Sequence, residues 1–352
     1  NRGTGFGVGP TVNPCTKGIW IWAKPLKGQT QDGKIVNIIV MDSEGLSAID
    51  VDASHDSRIF SLVMLLSSMF IYNSLGSIDE NALENLSLVA NLTKSIHIRS
   101  SNAEEVDFED FAFYMPSFLW VVRDFALELS DTRGEEISSK EYLEASLAEA
   151  KGLSDQVEQK NKIRRLLTSF FTERDCFTMV RPVINEEKLR ELDKLPLDSL
   201  RPQFAEQVLE LRKKIVLRAR PKIVNGAELS GDNIVELAKT YIAAINDKGV
   251  PNIESAWTYL CKAQSRKAFD KAIEEYENGM RESLGSTWPV SKDVLKAIHR
   301  ECAEQALKEF KRDALGDNLD ATRERLEETI QEKYSYLKNE NRKDFEKLLT
   351  QS

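Results

Sequence analysis

The 352-residue chain lacks the features that mark several large classes of protein. Its four cysteines (Cys15, Cys176, Cys261 and Cys302) lie far apart, with no CxxC pair. Neither a disulfide framework nor a zinc site is indicated, and a reducing, cytoplasmic setting is the expectation. There is no long apolar run. The most hydrophobic stretch, Ile59 to Tyr72, falls short of the roughly 20 residues that span a bilayer, and no signal peptide is visible. Basic charge is not in excess: 48 Lys and Arg face 57 Asp and Glu, a net charge of -9. That balance argues against a nucleic-acid partner held through its phosphates. The phosphate-loop pattern, GxxxxGK followed by Ser or Thr, occurs nowhere. An initiating methionine is missing too; the chain opens at Asn1 in a glycine-rich stretch and reads as continuing upstream.

What remains is 41% hydrophobic and 30% charged, a globular composition whose length implies two domains rather than one core. The stretch from Lys34 to Met41 is rich in β-branched residues. It predicts a buried strand running into Asp42-Ser43-Glu44-Gly45. In open α/β sheets ligands sit beyond the carboxyl ends of strands, where a carboxylate holds Mg²⁺ and a glycine admits a phosphate. The same four residues would also make an ordinary turn. Upstream, Asn1 to Cys15 reads as a loop and Ile19 to Ala23 as a strand. Asp32-Gly33 between the strands is a hairpin signal that brings Thr16 beside Asp42.

Further on, Asp56 to Leu66 reads as a buried helix and Ser67 to Tyr72 as a strand. Ser77-Ile78-Asp79-Glu80 reads as a capping box opening a helix whose apolar face is Leu83, Leu86, Val89, Leu92 and Ile96. Ser101 to Asp110 is an acidic loop. Phe118 to Val122 predicts a buried strand ending in Arg123-Asp124, where a carboxylate could accept two hydrogen bonds from a guanine edge or merely form a surface ion pair. A helix opening at Ser138 and ending near Gly152 follows. Next come a helix around Ile163 to Phe170 and a strand from Cys176 to Val180. From Glu186 the reading is helical throughout. Past Pro251 three amphipathic helices form a bundle whose charge runs are solvated faces and in which His299, like His97, reads as structural or exposed. The expected division is residues 1-247 and 248-352, cut at the breaker from Asp247 to Pro251.

In order, Thr16-Lys17-Gly18, Asp42-Ser43-Glu44-Gly45, the run from Leu65 to Ser74 and Arg123-Asp124-Phe125 closely resemble the GTPase domain of the guanylate-binding proteins. These are large GTPases related to dynamins and atlastins. Pro14-Cys15 resembles plant-type members. The resemblance implies a P-loop GTPase-like α/β fold, a mixed sheet flanked by helices, followed by an all-α helical bundle. It implies Mg²⁺-dependent GTP hydrolysis coupled to self-assembly. Thr16 would contact Mg²⁺ and the γ-phosphate, and Asp42 would bind the same ion. Lys17 and Glu44 would belong to the network around the attacking water, and Gly45 would bring an amide to the γ-phosphate. Asp124, with Arg123 beside it, would read guanine, and Arg181 would lead toward a cap across which two domains pair as a homodimer. Membrane association stays open. The family's first strand and phosphate loop would lie upstream of Asn1, so these 352 residues alone are expected to bind GTP or GDP weakly or not at all and to be inactive. The rival expectation is a decayed GTPase serving as a nucleotide-independent scaffold. Pro14 and Cys15, where animal members often carry Ser and His, put a second cleavage of GDP in doubt.

Overall fold

The computed structural model describes residue 6 and residues 16-30, 32-44, 53-86, 89, 92, 96-98, 111-152, 154-189, 191-247, 249-316 and 319-351. The expectations for Gly45 and for the loops at 1-15 and 101-110 fall outside these residues, Phe6 apart. The chain forms two compact units, Asn1-Ile253 and Glu254-Ser352.

The first unit opens with a long antiparallel ribbon. Strand β1 (Ile19-Ile21) pairs with β4 (Met41-Ser43), and β2 (Leu26-Gln29) pairs with β3 (Ile35-Ile38). Gly33, at φ +87°, supplies the left-handed residue that the predicted hairpin turn requires. The expectation of a buried strand over 34-41 is corrected. The stretch splits into β3 and β4, and Ile35 is 75% exposed. A short β-branched run fits the pleat whether or not both faces are covered, and here one face stays open.

Behind the ribbon in sequence comes helix α1 (Ala53-Leu66), which leads into β5 (Met69-Leu75). Strands β5, β6 (Ser117-Arg123) and β7 (Arg174-Thr178) form a parallel sheet in that order, the geometry of βαβ units. Among the described residues the ribbon and this sheet share no ladder. Strand β6 is buried on both faces, as a central parallel strand must be. One face carries Phe118 and Trp120, whose rings pack with Phe70, Tyr72 and Phe171; the Trp120 indole donates to Ser74 Oγ at 2.8 Å. On the other face Leu119 and Val121 pack under Phe204, Val208, Leu211 and Ile215. Those four lie on one helix, Pro202-Arg218, with Pro202 in its first turn, where a missing N-H is harmless.

Helix α2 (Glu80-Glu84) is capped by Asp79, whose carboxylate accepts from the Ala82 N-H at 2.8 Å. Ser77 is therefore not the cap. Leu83, Leu86, Val89, Leu92 and Ile96 are all buried, as their spacing predicts. Ser138 does form the reciprocal box with Glu141, opening α3 (Ser139-Leu147), which stops five residues short of Gly152. Helix α4 (Asp155-Phe170) precedes β7, and a short α5 (Glu186-Leu189) follows it. After α6 (Pro202-Arg218) comes a hairpin that the helical reading misses, β8 (Ile223-Val224) and β9 (Ala227-Glu228). Asn225 (φ 47°) and Gly226 (φ 77°) turn it, the Asn-Gly signature of a tight hairpin. Helix α7 (Gly231-Asn246) ends this part of the chain.

The second unit is helical: α8 (Ile253-Leu284), α9 (Lys292-Asp313) and α10 (Asp320-Gln351). Ala268, Ala272, Tyr276, Leu295, Ala306, Phe310, Leu326 and Ile330 make its core. Leu295, not the predicted Val294, faces inward. His299 is structural: its Nδ1 meets the Tyr276 hydroxyl at 3.0 Å and its ring stacks on Tyr334. Buried Asn341 accepts from the Val290 N-H at 2.9 Å and donates to the Val290 carbonyl at 2.8 Å. Among the described residues no helix is long and apolar enough to cross a membrane.

Candidate functional site

The ribbon brings together what the hairpin turn predicts. Trp20 lies opposite Asp42 in the β1-β4 register, so the residues just before β1 fall at the end of β4. There the Thr16 hydroxyl donates to Asp42 Oδ2 at 2.6 Å. A hydroxyl and a carboxylate, both half-buried, form a small cluster of hard oxygens. Lys17 is exposed, and its carbonyl accepts the Trp20 indole N-H at 3.1 Å.

Glu44, one residue past β4, is 9% exposed. A buried carboxylate needs donors on both oxygens, and it has them. The Gly18 N-H donates to Oε2 at 3.0 Å, and His55 Nε2 meets Oε1 at 2.5 Å. The Glu44 N-H in turn donates to the Gly18 carbonyl at 2.9 Å, closing a ring between the two residues. Gly18 sits at φ +68°, a conformation that side chains rarely adopt.

A second cluster lies at the carboxyl end of β6. Asp124 follows the strand at φ 52°, a left-handed geometry that Asp tolerates better than most residues but still at some cost. Three neighbours hold that bend: the Gly76 N-H donates to the Arg123 carbonyl at 2.8 Å, the Phe125 N-H to Met179 O at 2.9 Å, and the Met179 N-H to Val122 O at 2.8 Å. The carboxylate itself accepts no hydrogen bond among the described residues; its nearest cation is Arg181 Nε at 3.8 Å. Arg123 is exposed and forms no ion pair with Asp124 among the described residues, so the cation beside Asp124 is Arg181, three residues past β7, and not its chain neighbour.

The family model described as "Guanylate-binding protein, N-terminal domain" matches residues 1-222, and "Guanylate-binding protein, C-terminal domain" matches residues 225-348. The chain belongs to the guanylate-binding protein family. Among curated relatives it is 34% identical over 333 residues to guanylate-binding protein 7 of Mus musculus, covering 94% of this chain and 51% of the relative. It is 35% identical over 319 residues to guanylate-binding protein 1 of Homo sapiens, covering 89% and 53%. The chain thus spans about half the length of the curated relatives it matches.

In this guanylate-binding protein, the described residues therefore assemble two groups, Thr16-Asp42-Glu44 and Asp124-Arg181. Gly45 stands outside the described residues. Two features escape the sequence reading. Arg181 is the cation beside Asp124, a contact between the segments that follow β6 and β7, which spacing along the chain does not reveal. His55 closes the shell of Glu44; the available clue is a histidine in the first turn of the next helix, facing a carboxylate at a strand end.

Proposed function

We propose that the first unit, residues 1-247 by our division, is a guanine-nucleotide domain and that the protein it belongs to hydrolyses GTP with Mg²⁺ in the cytoplasm. Hydrolysis is coupled to homodimeric pairing of these domains and to movement of the helical part, residues 248-352. The observation that carries the reading is the 2.6 Å contact of Thr16 Oγ1 with Asp42 Oδ2 beside a pinned Glu44. The donor set suits Mg²⁺. Its ligands are oxygens, and they are few, as expected for an ion that keeps water and phosphate in its shell rather than sitting in a protein cage. Thr16 and Asp42 would hold the ion, which when bound supplies positive charge to the phosphates.

The chain's own residues supply orientation. Glu44 fixes Gly18, and with it Thr16 and Lys17, against the end of β4. Gly45 follows with an amide for the terminal phosphate. Asp124 accepts no hydrogen bond among the described residues, which leaves its oxygens for the two N-H groups of a guanine edge, and the Arg181 guanidinium balances the carboxylate's charge. Adenine offers no such donor pair and would leave those oxygens unmet.

The test is base selectivity in the full-length protein. Asp124→Asn weakens GTP binding by about 100-fold, the worth of two lost charge-assisted hydrogen bonds, while xanthosine triphosphate is affected far less because its ring edge accepts where guanine donates. Titration calorimetry with both nucleotides decides it. Equal loss for the two would remove Asp124 from base reading.

A further inference from the structure

His55 takes no part in the reading above, yet it touches one of the groups that do. It stands in the first turn of α1, half of its side chain open to water, with Nε2 2.5 Å from Glu44 Oε1. The oxygen it holds belongs to the buried carboxylate whose other oxygen takes the Gly18 N-H. Glu44 is therefore a three-way joint. On one side is the segment Thr16-Lys17-Gly18, on another the end of β4, and on the third the start of α1. Remove the histidine and Oε1 has no donor among the described residues. A buried carboxylate oxygen left without a donor is costly, which strains the hold on the Gly18 N-H as well.

We propose that His55 is a positioning residue: it sets the Glu44 carboxylate and so keeps the Thr16-Lys17-Gly18 segment seated on β4. This rests on the nucleotide-site reading for its link to hydrolysis, but its structural half does not. Its effect falls on the chemical step more than on substrate affinity, because the groups it orients, Glu44 and through Gly18 the Thr16 hydroxyl, act at the terminal phosphate and the attacking water, where charge develops, and not at the base.

The structure also supplies the probe. The Trp20 indole N-H donates to the Lys17 carbonyl, inside the segment that His55 is proposed to seat. With ¹⁵N-labelled tryptophan the chain gives five indole signals, and loss of one in Trp20→Phe assigns Trp20. In nucleotide-free protein, His55→Ala moves the Trp20 indole signal and leaves those of Trp120, Trp257 and Trp288 in place. Hydrogen exchange of a peptide covering Gly18 rises about tenfold, the scale of one charge-assisted hydrogen bond. His55→Gln, whose amide nitrogen reaches much as Nε2 does, restores both. Alanine is a good helix former, so loss of α1 is not the cause.

In the full-length protein, His55→Ala lowers kcat for GTP about 10-fold or more with KM within about twofold, and His55→Gln recovers most of it. An unmoved Trp20 signal with unchanged Gly18 exchange in His55→Ala overturns the proposal, whatever the turnover. So does failure of His55→Gln to restore them, or movement of all five indoles. If instead the Trp20 and exchange results come out as expected but the wild type does not hydrolyse GTP, the seating role stands and the nucleotide-site reading falls.

Discussion

At the scale of the residue, the clearest physical anomaly is Lys222. Its ammonium is buried and donates to two carbonyls, Ser67 O at 2.9 Å and Tyr114 O at 3.2 Å. Burial lowers its pKa from 10.5 to about 8. Between those values the unfolded chain keeps a proton that the folded protein has released. The unfolded state thus binds more protons, and stability rises with pH through this window. The penalty for burying the charge is fully present below pH 8. In urea unfolding, wild type should gain on Lys222→Met by up to about 1.4 kcal/mol per pH unit from pH 8 to 10. A difference that stays flat with pH would mean that the ammonium is not desolvated. At this scale the sequence was a good guide where the chain is local. Asp32-Gly33 makes the turn, and the turn makes Thr16 and Asp42 neighbours. It was a poor guide for Asp124, because its partner Arg181 comes from the segment after β7, 57 residues further along the chain.

At the scale of the element, helix α6 is fastened to the sheet by charge as well as by apolar packing. Asp175 in β7 is buried and accepts Lys214 Nζ at 2.8 Å and Arg218 Nη1 at 2.9 Å, both from α6. It also accepts the Cys176 N-H at 2.7 Å, while the Cys176 thiol beside it is pushed up to about 12, chiefly by burial and then by the Asp175 charge. Asp175→Asn leaves two cations facing a neutral amide. Because both cations reach water, the cost should be about 2 to 4 kcal/mol, at or below the range for a fully buried pair. Chemical denaturation measures it, and a loss under about 0.5 kcal/mol, the scale of a surface change, would show that the apolar contacts alone hold the helix. Elements with strong periodicity or caps were legible: α1, α3, α4 and β6. The ribbon's open face was not, since four apolar residues in a row do not say how many sides are covered. The β8-β9 hairpin was legible in Asn225-Gly226 and was passed over inside a run that otherwise reads as helix.

At the scale of the molecule, the two compact units each carry their own core. Leu326, fully buried in the second, should cost about 2 to 5 kcal/mol on truncation to alanine. In calorimetry Leu326→Ala should lower the transition of the helical unit while leaving that of residues 1-253, the one Asp175→Asn shifts, in place. A common shift in both would mean that the chain melts as one cooperative body. An α/β part followed by a helical part was legible because the last strand expected from the sequence is Cys176 to Val180 and amphipathic helices alone follow Pro251; the hairpin at 223-228 lies beyond Glu186, from where the chain reads as helical. The pairing of Asn341 with both backbone groups of Val290 has a mechanical consequence. It exists at a single axial setting of the last helix. Slipping by one turn, about 5.4 Å, would strand an amide and two peptide groups in a dry interior. A pull along residues 320-351 is therefore delivered to the turn ahead of α9 as through a toothed coupling, without loss to sliding.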